Sequence, residues 1–414
     1  MPTSQPIMVR GSLRAWRNAV FAVFALSGLG FASWVSRIPA VRDGMHLSTA
    51  TIGLMLFGLA FGSIAGLATA PNYMARMGTR NGLRYSLLAM AGATVLLGLA
   101  AGVWGSFLAS AGVLVLFGFF YSITDVVMNV EGADVEKANG RTLLPMMHAF
   151  FSLGTIIGAA LGAVAAMNSL PVGIHFTVVG LAIAAAGSWS VLHIPGPGAK
   201  VSSAGPAAPA AAADFGRHPR FGARLRETLK MAAEPQLFFL GLMVIGMAFV
   251  EGSANDWLPL AAVDGHGFNN AGGALVYGTF VAAMTVGRAA GGPLIDRLGR
   301  RHTLTIMGAL GFLGLLVFIL TNTHWTAFGA AALWGLGGSL GFPIGVSAAA
   351  DHPTHSARRV SIISIFGYMA FLVGPPVLGL LGEHFGILNA LYLVALMLLL
   401  SLLVAPRAMR ASAR

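Results

Sequence analysis

Apolar residues along the chain gather into segments of about 20, the length a helix needs to cross a bilayer. They fall near 16–39, 49–71, 83–102, 106–131, 143–167, 172–193, 236–260, 274–294, 303–321, 326–349, 360–382 and 386–405. The pattern predicts an all-α integral membrane protein of twelve transmembrane helices. Most connections are short. The exception is the gap at 194–235, which reads IPGPGAKVSSAGPAAPAAAADFGRHPR and then turns basic. Its Pro, Gly, Ala and Ser content is that of a flexible linker, followed by an amphipathic stretch at 221–231. It divides the spans six and six, giving an N-terminal bundle at 1–194, a linker at 195–235 and a C-terminal bundle at 236–414.

Composition agrees with the pattern. Of 414 residues, 56% are hydrophobic and 9% charged, against about 25% charged in soluble domains, and the mean hydropathy is +0.78. The 55 glycines are spread through the apolar segments, where small residues let helices approach closely in lipid. Without cysteine the chain has no disulfide, thiolate metal site or cysteine nucleophile.

The formal charge of +11 would suit a nucleic-acid partner, but the placement of the cations excludes it. With the N-terminus in the cytoplasm, all but three of the 25 Lys and Arg fall on that side or in its loops. Arg37 and Arg42 lie outside and Arg288 within a span. This is the positive-inside distribution of a multi-pass protein whose two termini are cytoplasmic. Arg10, Arg14 and Arg17 before an apolar run imitate a signal peptide. The run continues to about residue 39, too long for one, so it reads as a retained first span.

One loop carries a motif. Residues 291–301, GGPLIDRLGRR, form a tight cationic turn between two spans. Its Gly292, Asp296, Arg297, Gly299, Arg300 and Arg301 follow G-x-x-x-D-R-x-G-R-R. Aligning Gly78 with Gly299 lays PNYMARMGTR over GPLIDRLGRR, so Arg76 answers Arg297 and Ala75 stands at the position of Asp296. The motif resembles the signature loop of the major facilitator superfamily, found between helices 2 and 3 and often again between helices 8 and 9. The resemblance implies two pseudo-symmetric six-helix bundles working by alternating access. It also implies a gating role for Asp296, Arg297, Arg300, Arg301, Gly292 and Arg76. Arg288, one to two turns before the loop, is grouped with the gate, and Asp296 is expected to pair with a nearby Arg or a helix N-terminus.

Ionisable residues inside spans are the candidates for chemistry, because each costs about 2.5–3.5 kcal/mol at mid-membrane on translocon scales. In YSITDVVMNVEG, Tyr121, Asp125 and Asn129 are spaced four apart and share one helix face. Asp125 either exchanges a proton or meets substrate, or is a paired acid that ties helices together. The acid four residues before an Asn, followed by a basic loop and a Gly-rich helix, looks like the fucose permease branch of the superfamily. By that resemblance Asp125 takes the proton and Asn129 the substrate. The branch's acid on helix 1 has no counterpart, since Val35 occupies its place. In FVEGSANDWLP, Glu251 and Asn255 share a face and Asp256 lies nearer the external end. His148 is placed on a face with Ser152 and Thr155. Arg37 is a candidate for an anionic substrate. Glu131, Asp134, Glu136, Lys137 and Arg141 read as a solvated, ion-paired loop, and Gly154, Gly158 and Gly162 as a packing stripe.

The sequence shows no phosphate loop, metal motif or serine elbow, so neither an enzyme nor a cofactor is expected. The expected function is secondary transport across a bacterial inner membrane, by proton-coupled symport of a small polar, sugar-like solute through a monomer. Two alternatives stay open: proton-coupled efflux of drugs or metabolites, and a membrane sensor that binds a solute without moving it.

Overall fold

The computed structural model describes residues 10–141, 143–196, 231, 233–351 and 356–409. Most of the predicted linker and its amphipathic stretch at 221–231 lie outside them. The described residues form eleven helices and no strand: α1 (Arg10–Met45), α2 (Thr49–Gly102), α3 (Phe107–Asn139), α4 (Leu144–Met167), α5 (Val172–Leu192), α6 (Pro235–His266), α7 (Asn270–Leu320), α8 (His324–Gly338), α9 (Gly341–Ala350), α10 (Ser356–Phe385) and α11 (Ile387–Ala408). In hydrocarbon each backbone N–H and C=O must be satisfied within its own segment, which an α-helix does along its whole length.

Ten helical stretches are long and apolar enough to span a membrane, with α8 and α9 together forming one of 27 residues. Two of the ten, α2 with 54 residues and α7 with 51, would each extend about 75–80 Å if straight, more than twice the hydrocarbon thickness. Each is broken at one glycine, Gly78 (φ 70°, ψ 173°) and Gly299 (φ 75°, ψ 158°), so each makes two passes and the ten become twelve. These are the two glycines that the sequence alignment superposes, and their backbones match. A side-chain bond also spans each break: Tyr73 Oη donates to Gly82 O at 3.2 Å, and Thr303 Oγ1 donates to Leu294 O at 3.2 Å. Position 73 aligns with 294 and position 82 with 303, so the same two points are joined in both copies.

The chain forms two compact units, one of residues 1–46 and 58–208, the other of 47–57 and 209–414. In the first, α1 is the enclosed helix, with Val20, Val23, Phe24, Ala32 and Ile38 fully buried. It packs on α4 through the predicted glycine stripe. A Cβ at 154 or 158 would run into the carbonyl oxygen of Ala25 or Leu29, and one at 162 into the Ser36 hydroxyl. The opposite face of α4 presents Leu153, Ile157, Leu161 and Val164 outward, an arrangement suited to lipid rather than water. In the second unit α6 takes the enclosed position, with Leu240, Val244, Ala248, Trp257 and Ala261 buried.

The cluster at the end of α3 departs from the solvated loop expected of it. Glu131 is fully buried and accepts a 2.7 Å bond from Trp16 Nε1. Glu136 Oε2 accepts from Leu143 N at 2.6 Å and Leu144 N at 2.9 Å, placing a carboxylate at the positive end of α4. Arg359, counted as a loop cation, is buried on α10 and donates to Gln236 Oε1 at 2.8 Å at the start of α6.

At φ 75° and ψ 158° only glycine is comfortable, and another residue costs roughly 1–3 kcal/mol. Gly299→Ala is expected to lower the unfolding midpoint of the purified protein accordingly. Gly329→Ala, in the middle of α8 with open space around it, should leave it unchanged or raise it slightly; equal effects of the two substitutions would contradict a strained hinge at 299.

Candidate functional site

In the first unit the candidate residues sit on α3. Four-residue spacing puts Asp125 and Asn129 one above the other, and Asn129 Nδ2 donates to the Asp125 carbonyl at 2.8 Å and to Asp125 Oδ1 at 3.3 Å. Both are half-buried. Among the described residues the Asp125 carboxyl has this amide as its hydrogen-bond partner and no cation in an ion pair. One turn earlier, Tyr121 is stacked between Phe31 of α1 (centroids 5.5 Å, 24°) and Phe117 (6.0 Å, 9°). A polar pair and a flat aromatic surface therefore adjoin on one face of α3, as the sequence spacing predicts.

The other two candidates of this unit are not gathered there. His148 is exposed and meets the edge of Phe24 at 5.3 Å, whereas Ser152 and Thr155 are buried against α1, where Thr155 Oγ1 donates to Ser152 O. The face expected to carry all three is thus split, because the glycine stripe turns that side of α4 onto α1. Arg37 is 3% exposed and donates through Nη2 to Leu170 O at 2.7 Å. Its guanidinium points to the start of α5 within its own unit.

The second unit assembles a denser polar group. Glu251 and Asn255, one turn apart on α6, each find a partner on α7: Arg288 Nη2 pairs with Glu251 Oε1 at 2.7 Å, and Tyr277 Oη donates to Asn255 Oδ1 at 3.2 Å. Asp256 lies within electrostatic reach of Tyr277, as does Glu251. Arg288 makes a further contact. The break between α8 and α9 leaves the Ser339 carbonyl outside the helical ladder, and Arg288 Nε donates to it at 3.4 Å. Arg288 therefore belongs with Glu251, joining α6, α7 and the α8–α9 bend, and not with the signature loop as its sequence position suggests. Tyr277, whose only signal in the sequence is a hydroxyl in an apolar span, is a further member of the group.

In the signature loop, Gly292, Asp296, Arg297 and Arg301 are exposed, as is Arg76 in the first copy. Asp296 makes no hydrogen bond or ion pair with another described residue. The ion pair at this end joins Arg300 to Asp351, just past α9. The acid paired here is thus Asp351, from a segment 51 residues further along. No group of three or more His, Asp or Glu capable of holding a metal occurs among the described residues.

The Major Facilitator Superfamily model matches the chain over residues 20–321 and again over 271–413. A transporter of Sinorhizobium fredii named y4wD is 28% identical over 96% of this chain and 99% of its own length. The membrane protein MosC of Rhizobium meliloti is 26% identical over 91% of this chain and 86% of its own. Among solved structures, a bacterial homologue of the lysosomal transporter Spinster superposes with a TM-score of 0.72 at 14% identity, covering 97% of this chain and 98% of that one. The E. coli fucose:proton symporter FucP does so with a TM-score of 0.62 at 16% identity, over 94% and 97%. At these identities the structural likeness concerns the fold.

Glu251→Gln and Arg288→Met are each expected to lower the unfolding midpoint. The double variant should lose less than the sum of the two, with a coupling of roughly 0.5–1 kcal/mol, since Arg288 is more than a third exposed and solvent screens such pairs. Strict additivity would mean that the ion pair contributes nothing.

Proposed function

The chain belongs to the Major Facilitator Superfamily, and from that premise we propose that it moves a small polar solute across a bacterial inner membrane by alternating access, as a proton-coupled symporter with both termini cytoplasmic. The observation that carries the reading is the contrast between Asp125 and Glu251. Glu251 is matched by Arg288, so its charge is balanced within the protein. Among the described residues Asp125 has a neutral amide as its hydrogen-bond partner and no ion pair. A charge left uncompensated within a span is costly, so the Asp125 face is balanced by whatever arrives there, a proton or a cationic group on the solute. Proton uptake and release at Asp125 then changes the net charge of that face, which is what coupling to a proton gradient requires.

Asn129 and the stacked Tyr121 supply the complementary functions. The amide is held against Asp125 through its nitrogen, which leaves its carbonyl oxygen to accept from a hydroxyl. The tyrosine, its ring held between Phe31 and Phe117, gives the pair a rigid aromatic neighbour one turn away. In the second unit, Asn255 and the buried Tyr277 form a neutral pair next to the Glu251–Arg288 ion pair. FucP is a fucose:proton symporter; the chemistry just described suits the same class of solute here.

Reconstituted into proteoliposomes, the protein should accumulate its solute only under an inward proton gradient. Asp125→Asn is expected to reduce accumulation to the level seen without a gradient while sparing solute exchange between loaded vesicles. Full accumulation by this variant would remove Asp125 from coupling, and extrusion of hydrophobic dyes by the wild type would favour an exporter instead.

A further inference from the structure

Among the described residues, ten side-chain nitrogen and oxygen atoms are buried without a hydrogen-bond partner. Six of the ten belong to four residues of the first unit: Ser33 Oγ, Trp34 Nε1, Arg37 Nε and Nη1, and His175 Nδ1 and Nε2. Buried polar groups are normally satisfied, so such a concentration asks for a cause. On the outer part of α1, Arg37 lies three residues after Trp34 and four after Ser33, one turn from each. His175 stands in the first turn of α5. The two helices are joined at this place: Trp34 lies 6.3 Å from the Phe176 ring, Arg37 Nη2 reaches Leu170 O, and the Arg37 charge acts on His175.

Fixing the turn before α5 accounts for one N–H of Arg37. It leaves Nε and Nη1, a guanidinium charge that no carboxylate pairs with among the described residues, the Trp34 N–H and the imidazole. The cation also faces the positive end of α5, whose Pro171 cap supplies no side-chain acceptor, so both the side chains and the helix dipole call for negative charge. Burying a charge without a counter-charge costs several kcal/mol. A methionine or leucine would pin nothing but would avoid that cost.

We infer that this α1–α5 seam binds a small anion of halide size, held by Arg37 and by the N–H groups of Trp34 and His175. The size follows from enclosure. Ser33, Trp34, Arg37 and His175 are only 0–4% exposed. Beside them, α2 and α5 meet backbone to backbone, a Cβ on Gly98 falling 3.0 Å from Gly173 O. A dehydrated single atom suits such a place better than a sulfate or phosphate with its shell of acceptor oxygens. The bound anion neutralises Arg37 and fastens the external end of α1 to α5. It therefore acts inside one unit and is separate from the solute and proton chemistry at Asp125.

The test is thermal unfolding of the purified full-length protein in detergent, with sodium chloride or bromide exchanged for sodium gluconate at constant ionic strength. A ligand bound only by the folded state raises its stability as its concentration passes the dissociation constant. The wild-type midpoint is expected to rise by about 3 °C and then level off. Arg37→Gln should abolish the halide dependence, and Trp34→Phe, which keeps an aromatic ring and removes the N–H, should move it to higher halide concentration. A wild-type midpoint that is the same in halide and gluconate overturns the inference without reference to any variant. So does a rise of equal size in wild type and Arg37→Gln. Should Arg37→Gln fail to fold, bromide-soaked crystals of the wild type decide the matter, by an anomalous peak against Arg37 and Trp34 or none.

Discussion

A peptide group in hydrocarbon has nothing to bond to except its own helix, and the organisation of this protein follows from that constraint. It forces the described spans to be helical and confines departures from the helix to a few positions with a compensating partner. Gly78 and Gly299 reverse the chain where loops emerge from the membrane, and each reversal is tied across by one side-chain bond. The third departure, between α8 and α9, lies inside a span. There the Ser339 carbonyl is answered by Arg288, the same residue that balances Glu251. The bend in the backbone and the polar group on α6 are thus parts of one arrangement.

What the sequence made legible and what it hid divide along the same line. The spans, the break positions and the internal repeat were readable because they depend on runs of local composition and on an alignment of the chain with itself. Asp125 and Asn129 were readable for the same reason: one helical turn separates them, and four-residue spacing guarantees that they meet. Glu251 and Arg288 are 37 residues apart, Tyr277 and Asn255 are 22 apart, and Trp16 and Glu131 are 115 apart. Nothing local says which face of α6 will meet which face of α7, or that Glu131, close to a basic loop, will turn inward to an indole. His148 shows the opposite error. Its spacing to Ser152 and Thr155 was sound, but the glycine stripe decides how α4 is rotated, and it turns only part of that face onto α1.

The two units share a pattern of construction and differ in how they balance charge. Each encloses its first helix and each carries one acid near an asparagine four residues on. In the first unit the acid keeps the amide for itself. In the second the acid is matched to arginine and the amide to tyrosine, so the neutral and ionic contacts are separated. A protein that had to keep both acids permanently matched would gain nothing from this difference.

The tethers across the two glycine breaks differ in the side chain that makes them. In one copy a tyrosine before the break reaches forward to a carbonyl, and in the other a threonine after it reaches back, yet the positions joined are the same. The same two positions are thus joined in both copies by different side chains. Each tether lies wholly within its own turn, so the reversal of the chain is fixed locally, while Arg300 and Asp351 tie the second turn to a segment 51 residues away.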